Sequence, residues 1–277
     1  MLSNWETYVS WFQTDPVNCV ISVIITLIVI LTSLILHECA HGYMALRCGD
    51  PTAKFMGRLS LNPLRHLDPI GTLCMLFCGF GWAKPVPVNP RNFENYRRDD
   101  FMVSIAGIVT NLTLFIACSL LAVMLNMAIW KADFLPVLNA VYGGADGAEA
   151  LVNVFEAKGS PMAIYVAYGT SFDWFAGFTN APWLLYIQRF LLLMADVNLT
   201  LAIFNLLPIP PLDGFHVLND TILGGRLQLN SQAFHVAQLV LIIFLFSTDI
   251  VDGILIKGGE LIGGSVIRVF LMLTGQM

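Results

Sequence analysis

Charge is what this chain has least of. Only 12% of its 277 residues are charged, against 57% hydrophobic, and an ordinary soluble domain carries about twice that share of charge. A water-soluble enzyme is excluded. From Pro16 to Leu36 no charged residue occurs at all. Blocks of like charge are missing too: the net charge of -5 comes from 19 acidic and 14 basic side chains spread along the chain, which leaves neither a basic arm nor an acidic tail and argues against nucleic acid as a partner. Cys19, Cys39, Cys48, Cys74, Cys78 and Cys118 contain no CxxC pair, so a disulfide framework or thiolate zinc site is not expected, and they read as small buried hydrophobes. Repeats and low-complexity tracts are absent. What remains is an integral protein of the lipid bilayer.

The 21 residues from Pro16 to Leu36 would extend about 31 Å as a helix, enough to cross the apolar core. A cleavable signal does not fit, because Glu6 and Asp15 precede the segment with no Lys or Arg. Arg47, Lys54, Arg58 and Arg65 follow it, which puts the N-terminus outside and this next stretch in the cytosol. Pro69 to Gly81 is apolar but too short to cross and reads as re-entrant. The stretch Gly81-Trp82-Ala83-Lys84-Pro85-Val86-Pro87-Val88-Asn89-Pro90 then excludes a helix interior and suits an extended edge. Phe101 to Trp130 and Leu184 to Leu207 read as further spans, Phe234 to Phe246 and Ile254 to Leu273 as one or two more, the last broken by glycines. Residues 131 to 183, richer in acid than base, suit an external insertion with a short amphipathic helix near Ala148 to Lys158. The expected fold is therefore a mainly α, polytopic helical bundle of about four to six membrane segments. It forms one membrane-embedded domain over 1–277, with a core at 17–220 and C-terminal helices at about 233–275.

The chemistry sits in His37-Glu38-Cys39-Ala40-His41. On a helix, histidines four apart share a face with roughly 5–6 Å between Cβ atoms, from which two imidazoles reach one zinc ion. Glu38 beside them fits the general base of a metalloprotease acting on a metal-activated water. A bare motif of this kind at a helix end can be structural, but three ionisable groups extending a membrane span are costly unless functional. A catalytic zinc needs a third protein ligand, and His66, Asp68, Asp196, Asp213, His216 and His235 are the candidates near apolar helix ends. Asp213 leads. Both the first span and the Leu184 to Leu207 span run from outside to cytosol, so His41 and Asp213 emerge on one side.

Together, HECAHG, GWAKPVPVNP and Asn205-Leu206-Leu207-Pro208-Ile209-Pro210-Pro211-Leu212-Asp213-Gly214 resemble the site-2 protease family of intramembrane zinc proteases, in the compact bacterial form without a PDZ domain, over Leu34 to Asn219. The resemblance implies one Zn2+ per chain held by His37, His41 and Asp213, with Glu38 as base. It implies that Asn205 helps to hold the substrate backbone or the oxyanion. It also implies a short membrane-inserted β-hairpin in which Val86, Pro87 and Val88 pair with an extended substrate, a transmembrane protein or peptide, in a bacterial inner membrane with the active site toward the cytosol. Where the family has Ala-Gly-Pro-x-x-Asn, this chain reads Ala106-Gly107-Ile108-Val109-Thr110-Asn111. Gly107 and Asn111 read first as close helix packing with an interhelical hydrogen bond, and Asn111 and His216 as candidates to support the metal ligands from behind. A silent membrane-segment binder or a zinc transporter are the rival readings; the complete ligand set opposes the first, and polar residues gathered near one side oppose the second.

Overall fold

The computed structural model describes residues 9, 11–68, 71, 83–131, 177, 179–227, 231–247 and 250–275. The re-entrant segment, most of the 131–183 insertion and the first two residues of GWAKPVPVNP lie outside them. The described residues are mainly α-helical: α1 Pro16–Arg47, the short α2 Thr52–Phe55, α3 Tyr96–Ile129, α4 Trp183–Leu206, α5 Asp213–Thr221, α6 Ser231–Ser247 and α7 Ile250–Leu273.

Three of these helices are long and apolar enough to cross a membrane: Pro16–Arg47, Tyr96–Leu125 and Trp183–Leu206. Of the further expected spans, α6 has 17 residues, short of the usual length, and α7 carries Asp252, Lys257, Glu260 and Arg268. The glycines expected to break the last helix do not do so; α7 runs uninterrupted over 24 residues, because a glycine costs a helix only about 1 kcal/mol and its apolar neighbours continue the pattern. Among the described residues there is no sheet, only isolated antiparallel bridges, one between Leu67 and Ala83. Ala83–Asn89 is extended but forms no ladder.

Local sequence explains the helix ends. Asp15 precedes Pro16 and accepts from the backbone N–H of Asn18 at 3.1 Å, a cap followed by the proline that a first helical position tolerates. At the other end Gly49 adopts φ +94°, the left-handed conformation that stops a helix at little steric cost, and Asp50 N–H returns to Ala45 C=O at 2.8 Å. The HECAHG residues thus lie inside α1, a little over one turn before its end. For α3, Asn95 and Asp99 cap each other's turn: Asp99 Oδ2 accepts from Asn95 N–H at 2.8 Å and Asn95 Oδ1 from Arg98 N–H at 3.3 Å. That cap starts the helix before the apolar stretch that marked it in the sequence.

The described residues divide into two compact units, one of residues 31–112 and 201–253, the other of residues up to 30, 113–200 and from 254 on. The second unit holds a buried polar seam within its apolar helices. Arg189, 1% exposed, donates to Ser22 Oγ and lies 5.5 Å from the Trp11 ring centre, while Tyr186 Oη donates to Asn18 Oδ1 at 2.8 Å. These contacts offset part of the cost of a cation in an apolar setting. The first unit carries the chemistry.

Candidate metal centre

His37 and His41 leave the same face of α1, and Asp213 is the first residue of α5. Prolines 208, 210 and 211 cannot continue α4, so the chain turns and a new helix starts at Asp213. Gly214 is required there, since a Cβ at that position would collide with the carbonyls of Leu206 and Leu207. The three donors converge. His37 Nε2 and His41 Nε2 are 2.9 Å apart, and Asp213 Oδ2 lies 3.3 Å from each. Among the described residues this is the one group of three or more His, Cys, Asp or Glu whose ligand atoms lie within 4.8 Å of one another.

What stands behind the rings decides what faces forward. His41 Nδ1 lies 2.8 Å from Val103 C=O. A carbonyl only accepts, so Nδ1 carries the proton and Nε2 presents a lone pair. His37 Nδ1 lies 3.2 Å from the Asn111 side-chain amide, and Asn111 is fully buried. With the amide turned so that Oδ1, which otherwise has no partner, faces His37, that ring too is held as the Nδ1–H tautomer. Two imidazole lone pairs 2.9 Å apart beside a carboxylate repel one another unless a cation sits among them. Asp213 Oδ2 is buried and makes no well-directed hydrogen bond, as a metal-binding oxygen would. The donor set therefore fits a divalent metal with two imidazoles and one carboxylate, a catalytic zinc set.

The α3 helix forms the floor of this site. A Cβ on Gly107 would lie 2.5 Å from both His37 Cε1 and His41 Nε2, so only glycine lets the rings settle against the helix. In the sequence, Gly107 and Asn111 read first as packing. They do pack, but what they pack against is the ligand rings. Ile108 in place of the family's proline leaves α3 continuous.

Electrostatics favour an ionised Asp213. Burial pushes its carboxyl up, but in the metal-free site, where the imidazoles of His37 and His41 can take up a proton in the metal's place, their N–H groups and charge more than offset this and hold it well below the usual carboxylate range. Its place in the first turn of α5 acts in the same direction. Side-chain exposures of 7%, 12% and 20% for His37, His41 and Asp213 leave the site sheltered yet open on the aspartate side.

Glu38, the next residue along α1, accepts a hydrogen bond on Oε2 from Val86 N–H at 2.7 Å. The extended segment is fixed beside it by a backbone bond from Lys84 N–H to His66 C=O at 2.7 Å, by Arg58 Nη2 on Lys84 C=O at 2.7 Å, and by Asn89 N–H on Asp50 Oδ2 at 2.7 Å. Asp50 is fully buried. Burial raises its carboxyl, but bonds from Asn89, Thr52 and Asn92 hold it below its ordinary value. Pro87 and Val88 follow Val86, and Val88 packs on the cluster of Ala45, Cys48 and Val103.

The other sequence candidates lie elsewhere. Asn205 is in the last turn of α4, its Nδ2 donating to Leu201 C=O at 3.0 Å. His216 Nδ1 is 3.0 Å from Asp100 Oδ2; burial lowers its pKa, but Asp100 and the neighbouring carboxylates raise it above the ordinary histidine value. His66 is buried with Nε2 2.7 Å from Ser60 C=O, and Asp68 accepts from Gly71 N–H at 2.8 Å. Neither these nor Asp196 joins the three-donor group, and the His235 side chain lies outside the described residues. Val103, Arg58, Asp50 and Asp100 were not anticipated. The contributions of Val86 and Val103 to the site are backbone groups, which carry no sequence signature.

Apolar helices long enough to span a bilayer, enclosing a His-His-Asp metal set with an adjacent glutamate, define a membrane metalloprotease. The family model of "Peptidase family M50" matches residues 25–248. The chain belongs to this family, the site-2 protease family. It is 37% identical over 239 residues to "Putative zinc metalloprotease YwhC" of Bacillus subtilis, covering 86% of each chain. It is 27% identical over 229 residues to "Putative zinc metalloprotease Rip2" of Mycobacterium tuberculosis, covering 80% of this chain and 66% of that one. The protein of that name from Mycolicibacterium smegmatis is 30% identical over 129 residues, covering 44% and 48%. No solved structure matches the chain.

Proposed function

We propose that the chain is an intramembrane endopeptidase that cuts membrane-spanning segments or signal-peptide remnants, with His37, His41 and Asp213 holding one Zn2+ and Glu38 as general base. The observation that carries this reading is the convergence of three metal donors on one point beside Glu38. Bound there, zinc would supply Lewis-acid polarisation of the scissile carbonyl and acidify water at neutral pH. Glu38 then takes a proton from the attacking water and passes it to the departing amine nitrogen. Asn205 turns from its own helix to hold the substrate backbone or the oxyanion.

A helical substrate hides its carbonyls in its own hydrogen bonds, so it must unwind before cleavage. Val86, Pro87 and Val88 of GWAKPVPVNP, read as a membrane-inserted hairpin, offer the extended edge that receives it. The remaining readings follow from the sequence: one peptidase domain over 1–277 with its core at 17–220, four to six membrane segments, a bacterial inner membrane, the N-terminus outside and the site toward the cytosol.

The test is reconstitution of the purified protein with single-span peptides carrying Gly, Pro or Asn at mid-span. Cleavage inside the span, abolished by a chelator and restored by zinc, is expected. Cuts only in the flanking soluble residues would refute an intramembrane role, and an unchanged rate on stiffening the span with Leu would refute unwinding.

A further inference from the structure

The two large apolar side chains most open to the surroundings lie outside the helices long enough to cross a membrane. Phe55 is 82% exposed and Leu64 78%, more than any other large apolar side chain among the described residues, and Met56 and Leu61 are exposed beside them. These four are held out by the turn that carries them. Gly57, at φ +64°, ends α2 in the left-handed conformation, and Arg58 N–H returns to Ala53 C=O at 2.9 Å. Arg65 Nη1 donates to Gly57 C=O and Asn62 Oδ1 accepts from Leu64 N–H at 3.0 Å, so the two ends of the turn are tied together.

The position of this turn along α1 decides what it meets. After Arg47 the chain doubles back: a Cβ on Gly42 would stand 2.6 Å from Leu59 Cδ2 and 3.3 Å from the Ala53 Cβ, and the Cys39 thiol donates to Ser60 C=O at 3.5 Å. Ser60 is therefore level with Cys39, three residues past the charge-free stretch that ends at Leu36. Three residues of helix rise only about 4.5 Å, and a headgroup layer is roughly 5–7 Å deep. Leu61 and Leu64 follow Ser60 and lie at the edge of the hydrocarbon.

Charge is sorted in the same region. From Tyr43 to Leu67 the exposed charged side chains are Arg47, Lys54 and Arg65. The one acid there, Asp50, is fully buried, and so is the guanidinium-bearing Arg58. What the turn shows to its surroundings is thus apolar tips flanked by cations, with no exposed anion to repel a phosphate.

We propose that residues 54–65 are an in-plane membrane anchor that recognises anionic phospholipid: Phe55, Met56, Leu61 and Leu64 enter the edge of the acyl layer, and Lys54 and Arg65 bind the phosphates above it. The anchor fixes the depth at which the His37–His41 motif sits, because the same turn is packed on α1 at Cys39 and Gly42. It rests on α1 as a membrane span and is independent of the catalytic reading.

The experiment uses the full chain with p-benzoylphenylalanine in place of Phe55 or of Leu64, and in place of Ile28, exposed in the middle of α1, as the mid-span control. Each protein is reconstituted in vesicles of phosphatidylglycerol and phosphatidylcholine in equal amounts and irradiated, and its adducts are identified by mass. Lipid adducts are expected at all three positions. At 55 and 64 phosphatidylglycerol should exceed phosphatidylcholine by at least about threefold, since one cation at the surface favours an anionic headgroup by roughly fivefold; at 28 the two should agree within about twofold. Lys54→Gln with Arg65→Gln should remove the preference, and Lys54→Arg with Arg65→Lys should keep it. Loss of the preference in the charge-keeping pair as well, or equal labelling by both lipids in the unsubstituted turn, would overturn recognition of anionic lipid. Lipid adducts at 28 and none at 55 and 64 would overturn the anchor while leaving α1 as a span; none at any position would overturn both. Adducts to a protein in place of lipid at 55 and 64 in native membranes would assign the surface to a protein partner and overturn the proposal.

Discussion

Gly107→Ala puts the metal centre under a test whose sign is informative. In an ordinary interior helical position, exchanging glycine for alanine stabilises the helix by about 0.8–1.0 kcal/mol. Here the new methyl would lie 2.5 Å from His37 Cε1 and His41 Nε2 and 2.7 Å from His37 Nδ1, where ordinary contact begins at 3.4 Å. Both rings must therefore retreat by most of an ångström, or α3 must move away. Either response breaks the alignment of the Nε2 lone pairs with Asp213 and strains the hydrogen bonds that the Nδ1–H groups donate to Val103 C=O and Asn111 Oδ1. Losing such alignment typically costs about 10- to 100-fold in metal affinity, roughly 1.4–2.7 kcal/mol. Competition with a chromogenic chelator measures the affinity of the purified protein, and thermal unfolding of the metal-free form measures the helix. Weaker zinc binding is expected with a metal-free form no more stable than wild type. Affinity within twofold of wild type together with a gain in stability would refute the floor assigned to Gly107.

Three further outcomes are expected. Asn111→Leu should weaken zinc binding about tenfold, while Asn111→Asp, which keeps an acceptor for His37 Nδ1–H, should recover most of it; equal losses would make the role one of volume. Asp50→Ala leaves Asn89 N–H, Asn92 Nδ2 and Thr52 N–H without their acceptor, so about 2–4 kcal/mol of stability should be lost, with faster hydrogen exchange at residues 84–89 than elsewhere. Stability should also fall as pH rises from 5 to 8. Burial and Asp100 raise the Asp220 carboxyl to about 6, and His216 is raised as well. Both groups bind their proton more tightly folded than unfolded, so their stabilisation is complete at low pH and is lost as pH passes through the folded values. Melting in detergent across that range should show the slope, and Asp220→Asn should flatten it.

The sequence carries the helix with its two histidines openly, because their spacing is a property of one element. It carries Asp213 indirectly, through the direction in which each span runs and the prolines that end α4. The start of α3 was less legible: Tyr96 to Asp100 are mostly polar, and what makes them helical is a cap between Asn95 and Asp99. Asn111 and Gly107 were visible as a pair, yet their neighbours were not, since spacing on one helix does not say which rings lie across from it. The Asp100–His216 pair joins residues 116 apart and has no local pattern. Least legible were the Val103 carbonyl and Val86 amide, because every residue except proline offers both groups and only the fold selects which ones act.

The central claim is that Glu38 performs the chemistry at a metal centre it does not itself build. The most direct measurement is the cleavage rate of zinc-loaded Glu38→Gln on a peptide that wild type cuts. The account expects zinc equal to wild type and a rate lower by at least about 100-fold, the usual contribution of a general base; cleavage at the wild-type rate would contradict it.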